Sequence, residues 1–236
     1  MTAENSKTVA GASGTFTFGG DLTVNRLGFG AMRLTAKGVW GPPDDRAECV
    51  RVLRRAVELG VNFIDTADSY GPYVSEDIIR EALHPYDGLV IATKAGLLRT
   101  GPDIWIPLGN PSYLRQECEM SLRRLGVDTI DLFQLHRIDK NFPLEDQVGE
   151  LLTLKNEGKI RHIGLSEIDV DQLNAMPWLV AASSSGSAPR AVRLYMFCTE
   201  TISVTRRAAF NWSTSISDRP MWRILPSFFR VSSSPT

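Results

Sequence analysis

Short apolar runs alternate with helical patterns along the first 175 residues of the chain. Five of these runs have the length and composition of buried strands, at residues 27–30, 61–64, 88–92, 130–135 and 162–165. Between the runs, apolar residues recur at helical spacing, as Val50, Leu53 and Val57 do before Gly60. Strand and helix therefore alternate, which predicts a parallel α/β sheet with right-handed connections.

Two further strands are predicted before this alternation begins. Residues 15–18 and 22–24 flank Gly19-Gly20-Asp21, a turn typical of a β-hairpin. Gly28 and Gly30 in the first strand of the alternation have no third glycine at the offset of a dinucleotide-binding fingerprint. This argues against a doubly wound sheet that binds a nucleotide after its first strand.

Polar residues at the ends of the predicted strands distinguish an open sheet from a closed barrel. Asp65, Lys94, His136 and Ser166 each lie at or just beyond the end of a run, and Tyr70 follows Asp65 in a loop. Active sites of α/β barrels form at the carboxyl ends of the strands, so this placement favours a barrel. An isolated Asp or Lys at such a position is usually structural, but an acid, an amine, an imidazole and a phenol together indicate proton transfer.

Composition excludes some classes of function. A net charge of −1 in 236 residues gives no electrostatic basis for binding nucleic acid or an anionic membrane surface. Cys49, Cys118 and Cys198 are far apart, which predicts reduced thiols and no metal site. No apolar run has the ~20 residues of a membrane-spanning helix, and residues 1–14 lack the apolar centre of a signal peptide. We therefore expect a cytoplasmic protein.

The sequence changes in character after about residue 175. Residues 176–236 contain one glycine, no lysine, and seven arginines against two acidic residues, a charge of +5 that leaves −6 for the first 175 residues. The preferred interpretation is a translated frameshift or mis-joined exon. A basic interaction tail and a divergent, poorly ordered terminus are the alternatives. We therefore predict a partial barrel over residues 15–175 and a divergent tail over 176–236.

Several segments of the first part are recognisable in order and spacing. Residues 27–34, Gly60 to Gly71, Thr93-Lys94, Leu135-His136 and 157–166 resemble the aldo-keto reductases, and the resemblance runs from about residue 14 to 173. The resemblance implies an eight-stranded, TIM-type α/β barrel closed at its base by a hairpin. In this chain about five βα units follow the hairpin, so the barrel is predicted to be incomplete. It also implies reduction of aldehydes and ketones to alcohols with NADPH.

The resemblance also implies roles for individual residues. Tyr70 would be the general acid, and Lys94, held by Asp65, would lower its pKa from the ordinary value of about 10. His136 would orient the substrate carbonyl. Cofactor contacts are implied for the backbone near Gly30, Ala31 and Met32, for Asp65 and for Ser166. Glu167 replaces an asparagine frequent in the family, and Met32, Trp40 and Trp105 are candidates for an apolar substrate pocket.

Two other interpretations remain open from the sequence. The chain could be a non-catalytic binding subunit that resembles this family. The presence of all four residues Asp65, Tyr70, Lys94 and His136, called the tetrad below, argues against this interpretation. It could also be an inactive truncated product, because the cofactor contacts of strands six to eight are not identifiable after residue 175. The same gap leaves NADH open as cofactor. The expected partner is a small carbonyl substrate; its identity and the oligomeric state are not determined.

Overall fold

The computed structural model describes residues 8–168 and the backbone of residues 195–197 and 228–230. Its helices are α1 Arg46–Glu58, α2 Val74–Leu83, α3 Pro111–Leu125 and α4 Leu144–Asn156. Its strands are β1 Thr15–Phe18, β2 Leu22–Asn25, β3 Leu27–Gly30, β4 Phe63–Asp65, β5 Val90–Ala95, β6 Leu97–Leu98, β7 Ile106–Pro107, β8 Ile130–Leu135, β9 Ile160–Ser166, β10 Tyr195–Phe197 and β11 Phe228–Arg230. Short 3-10 helices span Gly11–Ser13, Ala31–Leu34 and Lys37–Val39.

Helix ends follow from local sequence in most cases. Asp45 caps α1 by accepting a hydrogen bond from the Glu48 N–H at 2.8 Å, as the sequence indicates. Helix α2 differs, because it begins at Val74 after Tyr73, whose φ of 71° is left-handed and which makes no side-chain cap. The sequence predicts that Ser75 opens this helix, but its side chain is buried and donates a hydrogen bond to the Ala31 carbonyl at 3.2 Å. The hydroxyl of Ser75 therefore joins α2 to the loop after β3.

The main sheet has the order β10-β9-β8-β5-β4-β3-β11. Neighbouring strands from β3 to β10 pair in parallel, which confirms the predicted parallel sheet. Strand β11 pairs antiparallel with β3. Strands β10 and β11 belong to the segment predicted to diverge. The sequence also predicts a short helix after Asp169. This helix and the rest of the divergent segment lie outside the described residues.

Three large apolar clusters hold the described part together, and a fourth, smaller one consists of Val39, Ala67 and Tyr70. Two lie between the strands and the helices that cover them, α1 with α2 and α3 with α4. The third is formed by Phe18, Leu22 and Val24 of the hairpin with Phe63, Val90, Ala92 and Leu132 of the sheet. The hairpin β1–β2 thus packs against apolar side chains of β4, β5 and β8. This packing agrees with the predicted closure of the barrel base. None of the helices in the described part has the length and apolar composition needed to cross a bilayer.

Candidate active site

The predicted site residues lie at the carboxyl ends of neighbouring parallel strands. Asp65 ends β4, Ser166 ends β9 and His136 directly follows β8. Lys94 is inside β5, because this strand continues to residue 95, three residues beyond the expected end. Pairing with β8 extends the strand, and the resulting alternation points Lys94 to the same side as Asp65.

Asp65 and Lys94 form a buried ion pair. The Lys94 Nζ lies 2.6 Å from Asp65 Oδ2 and also donates to the Thr66 carbonyl at 2.8 Å. Gln134 Nε2 donates to the second carboxylate oxygen, Asp65 Oδ1, at 2.9 Å. Burial lowers the pKa of Lys94, but Asp65 and Tyr70 outweigh it, so the pKa lies above its usual value. Lys94 is therefore an ammonium held in place.

Tyr70 lies against this ammonium. The Lys94 Nζ is 5.3 Å from the centre of the Tyr70 ring, and the Tyr70 side chain is buried. Burial raises the pKa of Tyr70, while the charge of Lys94 and a hydrogen bond with it act in the opposite direction. Lys94 thus lowers the pKa of Tyr70 as expected, but desolvation of the phenolate is the larger effect, so the net shift is upward and not downward.

His136 completes the group of four. Its ring centre is 5.7 Å from that of Tyr70, with the planes at 82°, and its Nδ1 is 3.2 Å from the Ser69 hydroxyl oxygen. Burial, followed by the positive charges of Lys94, Arg137 and Arg99, holds the pKa of His136 well below its usual value. The imidazole is therefore neutral at neutral pH and can act as a hydrogen-bond donor or acceptor without carrying charge.

The residues expected to contact a cofactor lie around this group. Gly30 is paired with Asp65 across β3 and β4, and Ala31 is fully buried. Met32 and Trp105 are partly buried and pack against the apolar cluster that contains Tyr70. Ser166 is buried, and its hydroxyl has no hydrogen-bond partner within residues 8–168. Such an unpaired buried hydroxyl is costly unless something else pairs with it.

Comparison with known proteins places this arrangement in a family. The sequence profile of the Aldo/keto reductase family matches residues 26–193. The chain belongs to this family. The match ends twenty residues beyond the limit of about 173 expected from the motifs.

Individual members are similar over the same part of the chain. An uncharacterized oxidoreductase of Schizosaccharomyces pombe is 58% identical over 172 residues, which are 73% of this chain and 56% of the relative. Pyridoxine 4-dehydrogenase of Escherichia coli is 44% identical over 169 residues, 69% of this chain and 59% of the relative. The structure of a glycerol dehydrogenase from Gluconobacter oxydans matches with a TM-score of 0.64 and 35% identity, over 78% of this chain and 55% of that one. The chain thus spans little more than half the length of these relatives.

Three residues of the candidate site were not anticipated from sequence. Gln134 holds the second oxygen of Asp65, and a lone amide in the apolar run 130–135 was a signal for it. Ser69 contacts His136, and the Arg99 guanidinium carbon is 3.5 Å from the centre of the Trp105 ring. Nothing in the local sequence marked Ser69 or Arg99, because both act on segments distant in the chain. Trp40 is near the same side chain: the centre of its ring is 5.8 Å from the Arg99 guanidinium carbon.

Within the described residues, no group of three or more His, Cys, Asp or Glu side chains could hold a metal ion. Cys49 and Cys118 are buried free thiols. Cys198 lies outside the described residues.

Asp68, in the loop between Asp65 and Tyr70, carries a buried carboxyl that the tetrad does not use. Neither of its carboxyl oxygens has a hydrogen-bond partner in the described part of the chain. Burial raises the pKa of Asp68 well above its usual value, with Glu76 and Glu117 adding to the effect and Arg124 opposing it. Because the folded state holds this proton more tightly than the unfolded state, stability is lost as pH rises through the folded-state pKa.

We therefore expect Asp68→Asn to stabilise the protein at pH 8. The gain should be at least about 1 kcal/mol, because each unit by which folding raises the carboxyl pKa destabilises the ionised form by about 1.4 kcal/mol, and an amide has no charge to desolvate. The difference should shrink towards pH 3, below the ordinary Asp pKa of about 3.9, where the carboxyl is largely protonated in both states. Urea unfolding at both pH values measures it, with the exposed Asp87→Asn as control. Equal stability of Asp68→Asn and the parent at pH 8 would contradict the prediction.

Proposed function

We propose that this chain carries the catalytic tetrad of an NADPH-dependent aldo-keto reductase that reduces small aldehydes or ketones to alcohols. The observation that carries the proposal is the buried Lys94–Asp65 ion pair beneath a buried Tyr70. A buried charge pair is costly to desolvate and is weak support for a purely structural role. Perturbed pKa values at neighbouring buried groups are typical of sites that transfer protons.

Tyr70 is the proton donor in this proposal. Its raised pKa keeps the phenol protonated at neutral pH, so the hydroxyl has a proton to give to the oxygen of the substrate carbonyl. The phenolate that remains is stabilised by the adjacent Lys94 ammonium. Asp65 and Gln134 hold that ammonium in position through the contacts on both carboxylate oxygens.

His136 supports the same oxygen. A neutral imidazole can donate one hydrogen bond to the carbonyl and help polarise it, and a cation there would compete with Tyr70 to give up its proton. The low pKa of His136 therefore suits an orienting role and leaves the proton transfer to the phenol. Trp105 lies edge-on to both rings, 6.4 Å from Tyr70 and 6.5 Å from His136 between ring centres. An apolar group on the substrate would fit against this wall.

Cofactor binding is supported by the unpaired Ser166 hydroxyl. A buried hydroxyl without a protein partner fits an amide group such as the carboxamide of nicotinamide, and the backbone at Gly30, Ala31 and Met32 lies at the end of the strand next to Asp65. When bound, the reduced nicotinamide would supply the hydride that reaches the carbonyl carbon. The protein residues would position its ring and close the site to water.

Titration with NADPH tests the proposal directly. We expect saturable quenching of the fluorescence of the five tryptophans, or energy transfer to the cofactor, in the purified chain. Ser166→Ala should weaken binding by about 5- to 10-fold, because a hydrogen bond contributes about 1 kcal/mol. Ser121→Ala, which removes an equally buried hydroxyl on α3, is the matched control and should bind as the parent does.

The titration also separates the remaining interpretations. A folded chain that shows no binding of NADPH or NADH would contradict the proposal and favour a truncated product. Binding without turnover of any aldehyde or ketone in a substrate screen would favour a non-catalytic subunit. Binding of NADH with higher affinity than NADPH would change the cofactor and leave the tetrad chemistry as proposed.

A further inference from the structure

Arg99, in the segment after β6, makes an unusual number of hydrogen bonds for a buried side chain. It is 8% exposed, and its guanidinium has five N–H groups. All acceptors found for it are backbone carbonyls, at Ile104 (2.8 Å), Val39 (3.0 Å), Ser69 (2.8 Å), Gly38 (2.8 Å) and Gly101 (3.4 Å). The whole donor capacity of the side chain is therefore directed at the main chain.

These carbonyls belong to three separate loops above the strand ends. Residues 38–39 follow β3, residue 69 follows β4, and residues 101 and 104 lie between β6 and β7. The guanidinium carbon also lies 3.5 Å from the centre of the Trp105 ring, close enough for a cation–π contact. Arg99 thus joins the loop before Tyr70, the loop after β3 and the aromatic wall of the site into one unit.

Ser69 is where this unit meets the tetrad. Its carbonyl accepts from Arg99, its hydroxyl oxygen is 3.2 Å from His136 Nδ1, and its peptide bond leads directly to Tyr70. Ser69 is only 2% exposed, so neither contact competes with bulk water. A shift of residue 69 would therefore move the phenol and the imidazole together.

We propose that Arg99 and Ser69 are positioning residues for the proton-transfer pair, and that the Ser69 hydroxyl sets the tautomer of His136. The proposal rests on the proposed function, and it specifies which ring nitrogen of His136 carries the proton that is donated to the substrate carbonyl. The Ser69 O–H donates to Nδ1, so the ring proton is on Nε2. The Nε2–H is then the group that faces a carbonyl oxygen. Arg99 holds Ser69 in the place from which this hydrogen bond can form.

The chemistry of the two side chains supports these roles. The tautomer of a neutral imidazole is set by the hydrogen bond that its other nitrogen makes, and His136 is held neutral by its surroundings. A lysine at residue 99 could not reproduce the fork, because an ammonium offers three donors from a single nitrogen and does not stack on an indole. The loops would then lose part of their common support.

The tautomer can be read without cofactor, substrate or turnover. The chain has three histidines, so NMR of protein with ¹⁵N-labelled histidine resolves each imidazole, with His84→Gln and His162→Gln assigning the other two. In the parent protein we expect His136 to show the Nε2–H form. In Ser69→Ala the ratio of the Nε2–H to the Nδ1–H form should fall by about 5-fold or more, the effect of losing one hydrogen bond.

A matched control keeps this result specific. Ser75→Ala removes another fully buried hydroxyl, at the start of α2, which accepts from Thr66 and donates to the Ala31 carbonyl and does not contact His136. Its His136 spectrum should equal that of the parent. An unchanged tautomer ratio in Ser69→Ala, or the Nδ1–H form in the parent, would overturn the assignment of Ser69.

Arg99→Lys tests the second half of the proposal. We expect a changed near-ultraviolet circular dichroism signal from Trp105 and a shifted or broadened His136 imidazole signal, with the far-ultraviolet spectrum preserved. In an active preparation kcat should fall about 10-fold with little change in the KM for cofactor, as expected when alignment for the reaction is impaired. Preserved Trp105 and His136 signals would overturn the role of Arg99. A chain without turnover would contradict the proposed function while leaving both spectroscopic results readable.

Discussion

Replacing Tyr70 by phenylalanine is expected to lower kcat/KM for carbonyl reduction by about 10²–10⁴-fold, the usual contribution of a general acid. The variant keeps the buried ring against Trp105 and Lys94 and removes only the hydroxyl that would donate the proton. Affinity for NADPH should stay within a factor of about two, because the phenol is placed to meet the substrate. Steady-state kinetics with the best aldehyde from a screen, beside a fluorescence titration with NADPH, measure both effects.

Tyr86→Phe is the matched control for this experiment. Tyr86 is also buried, but its hydroxyl donates to the Leu125 carbonyl at 2.8 Å on the helix side of the sheet. It should cost some stability and leave kcat/KM unchanged. Retention of more than about a tenth of the activity in Tyr70→Phe would assign the proton donor to another group.

The second large effect concerns the stability of the described part of the chain. Lys94→Met should lower the free energy of unfolding by about 3–5 kcal/mol, because it leaves the buried Asp65 carboxylate without its counter-ion. Lys94 is fully buried and Asp65 is 8% exposed at its side chain, so water cannot replace the lost contact at either end. Urea unfolding followed by tryptophan fluorescence gives the difference, since the midpoint falls in proportion.

Two further variants show whether the buried charge is the cause. Arg46→Met removes one partner of an exposed ion pair with Glu81, whose side chains are 41% and 49% exposed, and should cost no more than about 1 kcal/mol. Adding Asp65→Asn to Lys94→Met removes the unpaired charge and should recover part of the lost stability. If the double variant is less stable than Lys94→Met, packing of the lysine stem and not charge would explain the loss.

Both predictions concern Tyr70, Lys94 and Asp65, one through catalytic activity and the other through stability. The Lys94–Asp65 pair has a proposed role in stabilising the phenolate, and its disruption is also expected to destabilise the fold. A loss of activity on changing Lys94 would therefore be ambiguous, whereas Tyr70→Phe keeps the ion pair intact. For this reason kinetics are better measured on Tyr70 and stability on Lys94.

Much of the described architecture could be predicted from the chain because it depends on local patterns. Apolar runs marked the five parallel strands, and Asp45 and Gly126 mark helix ends through capping and a left-handed φ of 73°. The end of β5 was misplaced at residue 92, because Thr93 and Lys94 read as polar residues outside a strand. Both are buried by partners on other elements: Thr93 donates to Glu76 of α2 at 2.6 Å, and Lys94 to Asp65 of β4.

The four residues of the candidate site were identified by their position after strands and by the family motifs. The predicted effect of Lys94 on the pKa of Tyr70 has the right direction, but the net shift is upward, because burial is a property of the packed protein and no motif contains it. The division into a partial barrel and a divergent tail stays a prediction. Only the backbones of β10 and β11 are described in that tail, and they are the outermost strands at opposite edges of the main sheet.

The sequence by itself determined the alternation of strands and helices, the family, and which polar side chains arrive at the carboxyl end of the sheet. These features follow from periodicities and motifs a few residues long, which can be recognised within short continuous segments of the sequence. Only the tertiary structure decided what those side chains touch. Ser69 meets a histidine 67 residues away, and Arg99 donates to carbonyls 30, 60 and 61 residues away. Such contacts depend on how the loops pack over the strand ends, where burial also sets the charge of each group.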